Sequence, residues 1–190
     1  MISHPTHTQL SLEQFLQLPE TKPAQEYING QIYTKPMPKG KHSRLQIRLA
    51  TEINQVAEAQ RLASAFTELR CTFGGRSIVP DVSVFVWEQI PVNEEGEIED
   101  TFTIAPDWTI EILSPEQSSI RVINNILFCL DHGTKLGWLI DPQERLVMSF
   151  LPQQQPTTHQ DDDILPALSI LPNFQVSVET IFSYLTLNSK

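Results

Sequence analysis

The stretch DWTIEILSP, residues 107–115, decides how this chain is read. Four of the six residues from Trp108 to Leu113 are aromatic or β-branched, the composition of a buried strand. Ser114 and Pro115 then end it. Ser114 is a good helix N-cap, Pro115 suits the first helical position, and Gln117 completes a capping box, so a helix is expected from there to Gly133. Within the apolar strand stands one acid, Glu111. A buried carboxylate without a partner is costly, so Glu111 needs a metal ion, Arg121 on the following helix, or a backbone donor.

Thirty residues earlier, Val79-Pro80-Asp81 leads into VSVF, a second strand-like run. Two carboxylates on neighbouring strands can share one site. Hard cations such as Mg²⁺ take carboxylate oxygens and waters, and a phosphodiester oxygen can fill one remaining position. Such an ion polarises the phosphate and activates a water. Asp81 also has a plain alternative, as turn chemistry at a strand entrance. Asp107 shares the strand parity of Glu111, but at about 3.3 Å per residue it lies roughly 13 Å off, too far for a shared ion.

Near the N-terminus, Ser11 with Gln14 forms a capping box for a short helix ended by Pro19. EYINGQIY reads as a hairpin turning at Asn29-Gly30. Apolar residues at Leu45, Leu49, Ile53 and Val56 predict a long amphipathic helix from about His42 to Ala59. Strand runs follow at Ala65–Phe73 and Ser77–Trp87, parted by Gly74-Gly75, then an acidic, turn-rich segment from Glu88 to Thr103. LGWLID and RLVMSFL form a later hairpin, and Ser177 caps a short closing helix. Helices and strands in this order predict an α/β or α+β fold around one sheet. The 190 residues are read as a single domain, with a core of about 10–151 and a C-terminal extension over 152–190.

No run approaches the length of a membrane span, and the N-terminus lacks the cationic and apolar parts of a signal peptide, so a cytoplasmic protein is expected. Cys71 and Cys129 read as buried small hydrophobes, not as a disulfide or zinc framework. A net charge of -10 argues against a protein that coats nucleic acid electrostatically. Charge distribution is more telling. Five of the thirteen basic residues lie between Lys35 and Arg48, beside His42 and with no acid among them. Taken alone, that run is a solvated helix start; beside an active site, Lys39, Lys41, His42 and Arg44 become candidate phosphate contacts.

The segments EYINGQIY, KHSRLQIRL, IVPDVSVF, APDWTIEILSP and GTKLGWLIDPQERLV resemble, in order and spacing, the Uma-two type family of restriction endonucleases, from about Leu10 to Leu151. That family is similar to the PD-(D/E)XK nuclease superfamily. The resemblance implies a restriction-endonuclease-like mixed central β-sheet flanked by helices. It also implies cleavage of DNA with Mg²⁺ or Mn²⁺, and places Asp81 and Glu111 at the two acidic motif positions. Glu26 would match an additional N-terminal acid; an exposed hairpin residue is the alternative. The chain departs from the pattern at the lysine. Two residues after Glu111 stands Leu113, and the helix position where the family carries its lysine is Asn125. Arg121 lies one turn earlier on the same helix face and could reach that volume, stabilising charge but not serving as a base.

Two functions follow. One is a metal-dependent DNA endonuclease with Asp81, Glu111, Arg121 and Asn125 at the scissile phosphate. The other is a catalytically impaired nuclease fold that serves as a nucleic-acid-binding or assembly module, such as a homodimer. No G-x-S-x-G elbow or phosphate-cradling glycine loop supports a small-molecule hydrolase.

Overall fold

The computed structural model describes residues 10–115 and 117–187. Helix α1, Leu12–Leu16, starts at the Ser11–Gln14 capping box. Strands β1, Gln25–Ile28, and β2, Gln31–Thr34, pair antiparallel around Asn29-Gly30, whose φ values of 51° and 82° are those a two-residue turn requires. The long helix α2 spans Gly40–Ala57.

Each of the two expected β-runs splits into two strands. The first becomes β3, Ala63–Thr67, and β4, Cys71–Phe73; the second becomes β5, Arg76–Ile78, and β6, Val82–Val86. The breaks have local causes. Glu68 sits at φ 52°, which no strand residue adopts, and Pro80 has no N–H to give a ladder. The two long runs therefore cross between two sheets together, β3 pairing with β6 and β4 with β5. Strand β7, Trp108–Ile112, leads through α3, Ser119–Asp131, to β8, Leu136–Asp141, with which it pairs in parallel. Strand β9, Leu146–Phe150, returns antiparallel to β8, and β10, Thr157–His159, extends the edge. Helix α4 spans Val178–Ser183, with Ser177 capping it. The result is a mixed six-stranded sheet, ordered β10-β9-β8-β7-β6-β3, and a four-stranded antiparallel sheet, β2-β1-β5-β4.

Helix α3 begins four residues later than the Ser114-Pro115 signal suggests, with Ser118 as its cap. Leu113 is still bonded to the sheet through Ile140 O at 2.8 Å, and Gln117 N–H donates back to Ser114 O at 2.9 Å. The Ser-Pro signal thus forms a turn that carries the chain from the sheet up to the helix layer. At its other end α3 finishes as expected, with Gly133 at φ 106°.

Alternation along the strands divides the interior. Val82, Val84, Trp108, Ile110 and Ile112 face α2 and pack with Leu45, Leu49 and Ile53. Leu165, Leu168, Leu171, Phe174 and Ile181 join this same core, and Trp138 Nε1 donates to Pro166 O at 3.0 Å. The opposite faces of the strands meet α3 and the small sheet, where Phe85, Phe102, Phe128 and Cys129 pack with Cys71 and Phe73. Both cysteines are buried, and burial pushes the Cys71 thiol up to about 12. Gly137 lets α3 settle close on β8, since a Cβ there would stand 2.4 Å from Ile126 Cγ2. Among the described residues no helix is long and apolar enough to cross a membrane.

Candidate active site

The antiparallel register of β6 and β7 pairs Ser83 with Thr109 and Val82 with Ile110; one step further it sets Asp81 opposite Glu111. Because Val82 and Ile110 point at α2, the two acids point the other way, toward α3 and the small sheet. Both are buried, at 1% and 3% exposure. Asp81 Oδ2 accepts the Ile112 N–H at 2.7 Å, which fixes the carboxylate against the neighbouring strand.

A cation stands between the acids. Lys35, the residue after β2, places Nζ 2.7 Å from Asp81 Oδ1, 3.7 Å from Glu111 Oε2 and 2.6 Å from Val79 O. The hairpin delivers Glu26 as well. Glu26 pairs with Tyr33 across β1 and β2, and Lys35 follows Tyr33 by two, so all three share one face. Glu26 is buried; its Oε1 accepts the Val79 N–H at 2.9 Å and its Oε2 accepts from Asn125 Nδ2 at 3.4 Å. Asn125 projects from the buried face of α3, and Arg121, one turn earlier, stacks its guanidinium over Tyr33 at 4.3 Å. These groups line one pocket of about 190 Å³: Glu26, Tyr33, Lys35, Glu111, Arg121 and Asn125.

His42, a candidate phosphate contact at the helix start, lies inside this site. It is buried in the first turn of α2, with Nε2 3.2 Å from Asp81 Oδ1 and Nδ1 3.4 Å from Ser114 Oγ. Beyond this approach to Asp81, Nε2 makes no hydrogen bond among the described residues, and Asn125 Oδ1 is likewise buried without one. Lys39, Lys41 and Arg44 are exposed. Lys39, Lys41 and His42 line an open groove of about 720 Å³ with Ser114 and Gln117. Arg44 turns toward the end of α4, donating to Tyr184 O at 3.1 Å. Asp107 is spent elsewhere, on the Val86 N–H at 2.8 Å and Lys135 Nζ at 2.9 Å.

The two facing acids titrate in opposite directions. Burial would raise Asp81, but Lys35 and His42 outweigh it and hold the carboxyl below its usual range. Glu111 is pushed well above its usual value by burial, with Asp81 and Glu26 adding to the shift and Lys35 only partly opposing it. The first proton the pair accepts therefore sits on Glu111. Burial disfavours the Lys35 ammonium, yet Asp81, Glu111 and Glu26 together raise it above the ordinary lysine range.

Three carboxylates thus surround one ammonium, an excess of negative charge that a divalent cation would offset. Among the described residues no three His, Cys, Asp or Glu side chains form a complete metal cage. A pair of carboxylates with waters is nonetheless the donor set Mg²⁺ habitually uses, and two buried polar atoms at the site lack partners, so the residues present fit such an ion. Sequence reading did not single out Lys35, which looked like one member of a basic run. The signal was present in its parity with Tyr33 and Glu26, and in Pro36, which keeps the preceding residue extended.

A mixed sheet flanked by helices, with an Asp and a Glu set side by side on adjacent strands, is the architecture of a restriction-endonuclease-like nuclease. The chain belongs to the Uma2 family, described as "Putative restriction endonuclease", which it matches over residues 12–179. It is similar to a crystal structure from Anabaena variabilis, described as a putative nuclease belonging to DUF820. The two share 53% sequence identity and a TM-score of 0.91 over 93% of this chain and 99% of that one. No curated protein matches the chain.

Proposed function

We propose that the chain is a divalent-metal-dependent DNA endonuclease that hydrolyses phosphodiester bonds, acting as a single nuclease-like domain in the cytoplasm. The observation that carries this reading is the pair of buried carboxylates, Asp81 and Glu111, set opposite each other in register on one face of the sheet. Asp81 and Glu111 would hold Mg²⁺ or Mn²⁺. When bound, the ion polarises the scissile phosphate and lowers the pKa of a coordinated water. Asp81 is oriented for this by the Ile112 N–H, and Glu26, anchored on Val79 N–H, completes the acidic wall. Asn125 presents its amide, and Arg121 its stacked guanidinium, to the same pocket. Lys39 and Lys41 lie along the adjoining groove, where a DNA backbone would run. Arg44, turned to Tyr184 O, contacts the backbone only if it swings outward.

The test is cleavage of single-stranded, double-stranded and branched DNA with each metal, with and without EDTA. Cleavage abolished by EDTA and by Asp81→Asn is expected. Folded protein that binds DNA but cleaves none of the three with either metal would refute the nuclease reading. The neutral Asn125 favours a second reading, a nuclease fold without turnover that serves as a nucleic-acid-binding or assembly module, for instance as a homodimer. Mn²⁺ binding that vanishes in Glu111→Ala speaks against that alternative.

A further inference from the structure

We propose that Lys35 is the cation of this site, reaching from the hairpin to do what a lysine at position 125 of α3 would otherwise do. The proposal rests on the nuclease reading and deepens it.

Four observations carry it. First, Lys35 Nζ is the only ammonium within 4 Å of both Asp81 and Glu111 among the described residues, and Glu26 belongs to the same pocket. Second, an ammonium has three donors, and among the described residues two are engaged at short range, by Val79 O at 2.6 Å and Asp81 Oδ1 at 2.7 Å. Glu111 at 3.7 Å is beyond hydrogen-bond reach, so the third N–H is open to a phosphate oxygen or a water beside Glu111. Third, the helix offers no equivalent. Asn125 is neutral, with Oδ1 buried and unpartnered, and Arg121 is drawn onto the Tyr33 ring. Fourth, the lysine is held on a firm base. Its N–H bonds to Ala24 O at 2.9 Å, the last rung of the hairpin, and Pro36 keeps its backbone extended. Lys35 also lines both this pocket and a second, open cleft of about 860 Å³ that holds Asp81 and His42. Its part is electrostatic: it offsets the charge that develops on the phosphate oxygens, while the bonds made and broken remain those of hydrolysis by water.

The experiment compares wild type, Lys35→Met, Lys35→Arg and the double variant Lys35→Met/Asn125→Lys. Mn²⁺ affinity is read by titration calorimetry, nicking of supercoiled plasmid in Mn²⁺ gives activity, and circular dichroism checks folding. Lys35→Met should bind Mn²⁺ about ten-fold tighter or more, because a positive charge beside the carboxylates is gone. Its nicking should fall by roughly 100-fold or more. The double variant, which returns the charge from the helix, should move both quantities back toward wild type. Lys35→Arg should keep part of the activity. Should Lys35→Met fail to fold, the double variant decides: folded and cleaving supports the proposal, folded and silent overturns it. Mn²⁺ binding and nicking that are indifferent to Lys35→Met overturn this inference alone. No Mn²⁺ binding in any variant, or a wild type that binds Mn²⁺ and nicks nothing, overturns the nuclease reading with it.

Discussion

Replacing Asp81 with alanine should destabilise the fold as well as abolish cleavage. The substitution strands two groups at once: Lys35 Nζ loses a counter-ion at 2.7 Å with its side chain only 12% exposed, and the Ile112 N–H loses its acceptor. Removing one member of a buried ion pair costs about 3–5 kcal/mol. Glu111, still 3.7 Å from the ammonium, argues for the lower end of that range. An unmet buried N–H adds about 1–3 kcal/mol. With each kcal/mol lowering Tm by about 2–4 °C in a chain of this size, the melting point should drop by on the order of 10 °C or more. Asp81→Asn keeps an acceptor for Ile112 and should lose markedly less. The decisive comparison adds Lys35→Met to Asp81→Ala. With the stranded ammonium gone, the double variant should be more stable than Asp81→Ala alone by about 2 kcal/mol, measured by urea unfolding in metal-free buffer. Strictly additive losses would refute the claim that Lys35 and Asp81 form a coupled buried pair.

Glu111→Gln should stabilise the metal-free protein by about 1–2 kcal/mol, as relief of a strained functional group commonly does. Because folding raises the Glu111 pKa, its contribution is fully present below its unfolded value and is lost as pH rises through the folded one. The advantage of Glu111→Gln should therefore grow between pH 5 and pH 8 in thermal melts, and a shrinking advantage contradicts the assignment. For Lys39→Gln and Lys41→Gln, each lost phosphate contact should lower the slope of log K against log salt for DNA binding by about 1. An unchanged slope in both would remove the groove they line from the DNA path. Gly137→Ala should cost about 1–3 kcal/mol, since its Cβ would collide with Ile126, and should depress cleavage by lifting Asn125 on the neighbouring helical position. Wild-type melting and cleavage in that variant would show that α3 tolerates the shift.

Much of this layout is written in local chemistry. The Asn29-Gly30 hairpin, the Ser11 capping box, the strand around Glu111 and the Gly133 helix end all follow from residues within a few positions of one another. The facing of Asp81 and Glu111 was also foreshadowed, because a lone acid in a buried apolar strand demands a partner. What escaped reading depends on residues distant in sequence. The β-runs looked continuous because apolar content does not stop at Glu68 or Pro80; the backbone does. The start of α3 was set by a rung from Leu113 to Ile140, invisible at Ser114. Lys35 and His42 entered the site because sheet and helix packing bring them to Asp81 from 46 and 39 positions away, and no local pattern encodes such a meeting.

The register that pairs Asp81 with Glu111 also fixes which face of each strand the acids occupy. A slip of a single residue between β6 and β7 would turn the slipped strand's acid into the apolar layer under α2 and bring its Val82 or Ile110 round to the pocket, parting the two carboxylates. The greasy side of these strands therefore acts as a ruler for the reactive side. By contrast, the thirty positions that separate the acids in sequence measure little: residues 92–101 form a largely exposed loop with one isolated bridge between Val92 and Ile98, the kind of segment that can lengthen or shorten without moving either carboxylate. Divergent relatives are best recognised by what lies beside each acid within its strand, whatever the distance from one acid to the next.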